Sequence, residues 1–229
     1  MANDFDLNDP NLVLDLPEDY DPEADLVGGI PQPPPDGVNR VALILAEDTE
    51  TKAAVRFSKG KIVTTFNVKV VKDDGELSNG YAIKDFYPTS QVFGGQTTSA
   101  LANLCKLAGK PVRATDPAAY IAHVKSVFSP EKPFIVSAKT QWVKSTPALD
   151  EEGQHKVNPE TGYKEYDELK GQARITDAAV REAQYRAAEA GEDVDEAVAA
   201  AFKNPHMYLD PLSGDERSVR AEVRYVVGL

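Results

Sequence analysis

Cysteine is almost missing from this chain: Cys105 is the only one in 229 residues. No disulfide can form within one copy, and no cysteine-based zinc site can be assembled from it. Histidine is nearly as scarce, with His123, His155 and His206 lying far apart and outside any metal-ligand spacing. No apolar run reaches the length of a membrane-spanning helix. The opening residues Met1-Ala2-Asn3-Asp4-Phe5-Asp6 lack the basic start and apolar segment of a secretory signal. These absences lead us to expect a soluble, intracellular protein with no membrane partner.

Enzyme chemistry finds no foothold either. Gly94-Gly95-Gln96-Thr97-Thr98-Ser99 opens a helix but lacks the Gly-Lys-Ser/Thr ending of a nucleotide-binding loop. The acidic groups Glu151-Glu152 and Asp193, Asp195, Glu196 lack the spacing of a calcium loop and read as solvated surface. The expectation is a chain that is not an enzyme, with no catalytic residue, cofactor or metal.

What the chain does have is charge sorted by position. Residues 1–37 hold ten acidic side chains and no Lys or Arg. Residues 38–145 hold 15 Lys/Arg against 9 Asp/Glu, and residues 146–229 hold 10 against 18. The net charge of -12 therefore conceals a cationic middle, and steering of a charged ligand depends on the local patch rather than on the total. The first 37 residues also carry Pro17, Pro22, Pro31, Pro33, Pro34 and Pro35, a composition too polar to build a core. They read as a disordered acidic arm, with Leu12, Val13, Leu14, Leu16 and Tyr20 forming an acidic-hydrophobic patch within it. That patch suits a docked partner or the basic face; a purely solubilising tail is the plainer alternative.

The domain is expected over 38–229. Residues 38–47 alternate as a strand, and 61–72 alternate most clearly, with Ile62, Phe66, Val68 and Val70 on one face and Lys61, Thr65, Asn67 and Lys69 on the other. Turns at Asp73-Asp74-Gly75 and Asn79-Gly80 lead into a third strand over 81–87. A helix capped by Thr97 or Thr98 ends at Gly109, and a second helix starts at Asp116-Pro117. Residues 134–144 read as the fourth strand and 218–227 as the fifth. Between them lies a long insertion, 145–216, holding a Gly/Pro-punctuated loop and two Ala-rich helices, 177–190 and 192–203, whose apolar residues suggest homo-oligomer contacts. Mainly β structure with helices, in this order, is the connectivity of an α+β, OB-fold-like five-stranded barrel with a helical insertion between strands 4 and 5. A generic β-sandwich or α+β domain in which these strands pair differently competes with it.

The acidic arm, the run Gly80-Tyr81-Ala82-Ile83-Lys84-Asp85-Phe86-Tyr87, the helix opening Thr97-Thr98-Ser99-Ala100-Leu101 and the basic fourth strand resemble phage-encoded single-stranded DNA-binding proteins of the OB class. The likeness spans about 38–145 and the last strand. Two departures stand out: such proteins often carry the acidic tail at the C-terminus, and the helical insertion has no standard counterpart. The resemblance implies a cytoplasmic protein, in the host cytoplasm if viral.

Binding a single strand needs cations along the phosphates and aromatic faces under the bases. The candidate cations are Arg40, Arg56, Lys61, Lys69, Lys84, Lys139 and Lys144, with Arg220 and Arg224 on the last strand; the candidate aromatics are Phe86, Tyr87, Phe93 and Trp142. Trp142 shares a face with Phe134 and Val136 in strict alternation yet sits at a strand end beside Lys144, so core and surface both stay open for it. Phe93 is either a stacking residue or packing beneath the helix. The leading expectation is a sequence-tolerant single-stranded DNA-binding protein of replication or recombination, whose acidic arm contacts replication or recombination proteins. The alternative is a structural or interaction protein, such as a virion accessory component or an acidic DNA mimic.

Overall fold

A computed structural model describes residues 31–91, 99–113 and 116–229. They form a mixed α+β fold with a mostly antiparallel main sheet and four helices. The chain order is β1 (Gly37–Leu45), β2 (Val55–Ser58), β3 (Lys61–Thr64), β4 (Phe66–Val71), β5 (Leu77–Ser78), β6 (Thr89–Gln91), α1 (Ala100–Leu107), α2 (Pro117–Val127), β7 (Phe134–Pro147), β8 (Tyr166–Lys170), α3 (Gln172–Ala190), α4 (Val194–Lys203), β9 (Met207–Leu209), β10 (Glu216–Ser218) and β11 (Arg220–Gly228).

The main sheet runs β11-β7-β1-β4-β5, with β8 added to the far end of β7. All of its named ladders are antiparallel. It is not closed into the five-stranded barrel that the sequence led us to expect. One of two isolated parallel bridges among the described residues joins Ile83 to Ala221, through Lys84 N–H donating to the Ala221 carbonyl and Ala221 N–H to that of Ala82; the other joins Gln32 to Tyr81. The segment 81–87, expected as a full strand, makes only isolated bridges, to Gln32, to Ala221 and to Phe66.

The expected long strand 61–72 is two strands belonging to two sheets. At Thr65 the chain switches partners: its N–H donates to the Ala54 carbonyl while its own carbonyl accepts from Ala46. Lys59 and Gly60, both at positive φ, close the two-residue hairpin that pairs β2 with β3, and β6 completes this small sheet. Glycine suits such a position because it lacks the Cβ that crowds a left-handed backbone.

The inner face of the main sheet shares one core with the small sheet and both helices, α1 lying against β6 and β11 and α2 against β2 and β3. Leu101, Leu104 and Cys105 of α1 and Tyr120 and Val124 of α2 pack on Val41, Leu43, Phe66, Val136 and Ala138. Full burial of each such aliphatic side chain contributes about 1.5–3 kcal/mol. Ser99 caps α1, its hydroxyl accepting from Ala102 N–H, and not Thr97 or Thr98, which lie outside the described residues. Asp116 caps α2 with Pro117 in the first turn, as the sequence had indicated. Burial pushes the Cys105 thiol up to about 11, so it acts as a small hydrophobe.

A second, smaller core forms from Trp142, Ile175 and Val219 at the other end of the sheet. It depends on residues assigned by sequence to the arm. Pro33 and Pro34 are buried, the Trp142 indole N–H donates to the Pro34 carbonyl at 2.8 Å, and Ala82 N–H donates to the Gln32 carbonyl. Asp36 then joins two elements: one carboxylate oxygen accepts from Trp142 N–H at 2.6 Å and the other from Gln172 N–H at 2.7 Å. That carboxylate fills the gap between the end of β1 and the start of β8 along β7, and it caps α3, whose own N-cap residue Gly171 has no side chain to do so. The folded domain thus includes residues 31–36. The acidic residues 1–30 lie outside the described residues.

The insertion is also more than a loop with two helices. It contributes β8 to the main sheet and the β9–β10 hairpin, and α3 begins five residues before the expected Asp177 because Asp36 supplies its cap.

Candidate nucleic-acid interface

The register of the main sheet decides which of the expected site residues meet. Ala42 of β1 pairs with Lys69 of β4, Arg40 pairs with Ser137 of β7, Val38 pairs with Lys139, and Lys139 pairs with Tyr225 of β11. On the outer face, away from α1 and α2, Lys69, Arg40 and Lys139 are therefore successive diagonal neighbours across three strands, and Tyr225 stands directly beside the last. Diagonal neighbours in an antiparallel sheet are about 7–8 Å apart, a spacing that single-stranded phosphates can follow.

None of these cations is neutralised by a carboxylate among the described residues. Lys69 donates to the side-chain carbonyl of Asn79, and Arg224, beside the stripe on β11, donates to that of Gln141. An amide positions a cation without cancelling its charge. Arg40 is exposed and Lys139 half-buried. Asp36, Lys139, Thr140, Gln141, Arg224 and Tyr225 line a depression of about 330 Å³ at the lower end of the stripe, where the Asp36 carboxylate is engaged by the Trp142 and Gln172 backbone N–H groups.

Tyr225 is 59% exposed, with Val38 and Val227 exposed nearby. Strict alternation along 218–227 would put Tyr225 on the inner face with Val219, Ala221 and Val223. A β-bulge between Val223 and Tyr225 shifts the register and turns the ring outward. Nothing in the residue types around it signals the bulge.

Other expected site residues lie apart from the stripe. Arg56 pairs with Asp48 at 3.5 Å, and the Thr51 backbone N–H holds the Asp48 carboxyl below its ordinary value. Lys84 reaches Glu168 at 4.0 Å within a network where Lys170 pairs with both Glu168 and Glu222. Lys144 pairs with Glu182 at 3.5 Å and sits over the Tyr208 ring. Lys61 is exposed and has no ion pair among the described residues, but it belongs to the small sheet. Phe86 packs against the main core, leaving little face for a base. Tyr87 is exposed on the small-sheet side, its hydroxyl 3.5 Å from Asp85.

Trp142 is a correction to the expected set. It is 5% exposed, its N–H is bonded to Pro34, and its ring meets His206 edge to face, so no base can stack on it. Phe93 lies outside the described residues.

The remaining titratable groups do not assemble a reactive centre. His123 bonds the Lys110 carbonyl, His155 the Glu165 carbonyl, and His206 is buried against Trp142. Among the described residues no group of three metal-ligating side chains converges, and no helix is long and apolar enough to cross a membrane. The chain matches no family model, no curated protein and no solved structure.

Proposed function

We propose that this chain is a sequence-tolerant single-stranded DNA-binding protein of replication or recombination, of the kind phages encode. The observation that carries this reading is the diagonal of unneutralised cations, Lys69, Arg40 and Lys139, ending on an exposed tyrosine. Phosphates follow the cations and a base stacks on Tyr225, a combination that needs no base-specific contact. A duplex holds its bases inside, so it cannot use the ring and binds through charge alone.

The scaffold is read as OB-like. The Ile83–Ala221 bridge supports this, since it brings the segment expected as strand 3 against strand 5 as a partly open Greek-key barrel requires. Residues 1–30 hold nine acidic side chains and no cation, and they enter the domain at Pro31. They compete with DNA for the stripe, so a chain lacking residues 1–30 binds single strands more tightly than the full chain.

The deciding experiment is an anisotropy titration of labelled oligo-dT and a matched duplex at low and moderate salt. Salt-sensitive preference for the single strand is expected. Equal binding to both, or none to either, refutes the proposal.

A further inference from the structure

Beside the stripe, a groove of about 1030 Å³ opens along the end of the main sheet. Val38 and Arg40 line both surfaces, so the groove meets the stripe at the start of β1, while Asn39, Val70 and Trp142 line it from the inner face of the sheet. Its floor is the proline segment at Pro33 and Pro35, and its far side is the end of α4, where Phe202 and Lys203 project.

Phe202 is 70% exposed in the last turn of α4. A ring left this open at the rim of a groove offers a flat apolar face next to the ammonium of Lys203. The Asp73-Asp74 turn lies on the sheet side of the same groove. Its carboxylates repel phosphate there and, being acceptors only, take hydrogen bonds from base N–H groups such as the N3–H of thymine. Sugar and phosphate are thereby directed toward Arg40 and Lys203, and bases toward the interior. The volume reaches the upper end of the range for small-molecule pockets, about 300–1,000 Å³, enough for more than one nucleotide.

We propose that this groove takes the nucleotides that follow those on the stripe, with Phe202 as the stacking platform and Arg40 and Lys203 as the phosphate contacts. The inference rests on the single-strand reading and extends it to the insertion: α4 becomes part of the binding path.

The test uses the full chain and labelled oligo-dT of about 4 to 16 nucleotides, the span of site sizes known for such folds. Wild type, Phe202→Ala, Phe202→Tyr and Tyr225→Ala are compared, with thermal melts to confirm folding. Phe202→Ala should match wild type on the shortest strand and fall about 5- to 100-fold behind on the longest, the worth of one base stack. Phe202→Tyr should restore the difference, and Tyr225→Ala should weaken every length. If Phe202→Ala equals wild type at all lengths, the groove proposal fails while the stripe stands. If it binds more tightly, the groove is the seat of the acidic arm and the proposal fails. If wild type binds no single strand, both readings fail together.

Discussion

Salt dependence gives the sharpest quantitative test, because the structure separates neutralised cations from free ones. Lys69, Arg40, Lys139 and Arg224 share one surface and have no carboxylate partner among the described residues. Each phosphate they neutralise releases condensed counterions, with a slope of log K on log salt of about -0.7 per contact for a single strand. Four contacts predict a slope of about -2.8, equivalent to about a fifty-fold loss of affinity between 50 and 200 mM salt. Arg40→Ala and Lys139→Ala should each make the slope shallower by about 0.7, and the double variant by about twice that. Lys144→Ala is the matched control. Its charge is already answered by Glu182 at 3.5 Å, so its slope should stay at the wild-type value. The assay is oligo-dT anisotropy at four salt concentrations. A slope near zero, or one altered by Lys144→Ala but not by Arg40→Ala, would refute the assignment of the stripe.

Three further outcomes follow from particular contacts. Tyr225→Ala should weaken single-strand binding about 5- to 100-fold while changing stability by less than about 0.5 kcal/mol, since the ring is mostly exposed; a large loss of stability with unchanged affinity would make it a packing residue. Asp36→Ala removes both bonds that join β7 to α3 and should cost about 2 kcal/mol in urea unfolding followed by Trp142 fluorescence. A loss below about 0.5 kcal/mol would show that the proline segment is not needed for the second core. Burial holds the His206 imidazole below its ordinary value of 6.5, so the unfolded chain takes up a proton that the folded chain refuses. Stability present above that value is lost as the pH falls through it. Between about pH 7.5 and about pH 5.5 the urea midpoint should drop more for wild type than for His206→Phe, and equal drops would dismiss the histidine as the cause.

Strands and helices whose partner is water on one side and the core on the other were readable from the residues alone. β1, β7, α1 and α2 announce themselves by period and by caps such as Asp116-Pro117, because local steric and hydrogen-bonding preferences act over a few residues. The cationic middle was equally legible, since composition needs no coordinates. The break at Thr65 was not: its sequence keeps alternating, and only the competing carbonyl of Ala54 and amide of Ala46 divide the strand. The role of Asp36 was hidden for a similar reason, since its two partners lie more than 100 residues away.

The sequence by itself determined the α+β composition of the chain, the separation of its charges and the set of candidate cations and aromatics. Tertiary structure decided which of them lie together. Register across β4, β1 and β7 aligns Lys69, Arg40 and Lys139, and ion pairing removes Arg56, Lys84 and Lys144 from the free charge. One bulge exchanges the fates of the two aromatics, turning Tyr225 outward while the proline segment seals Trp142 within. Charge and period are properties of neighbours along the chain, whereas pairing and burial depend on contacts between distant segments that only the folded chain brings together.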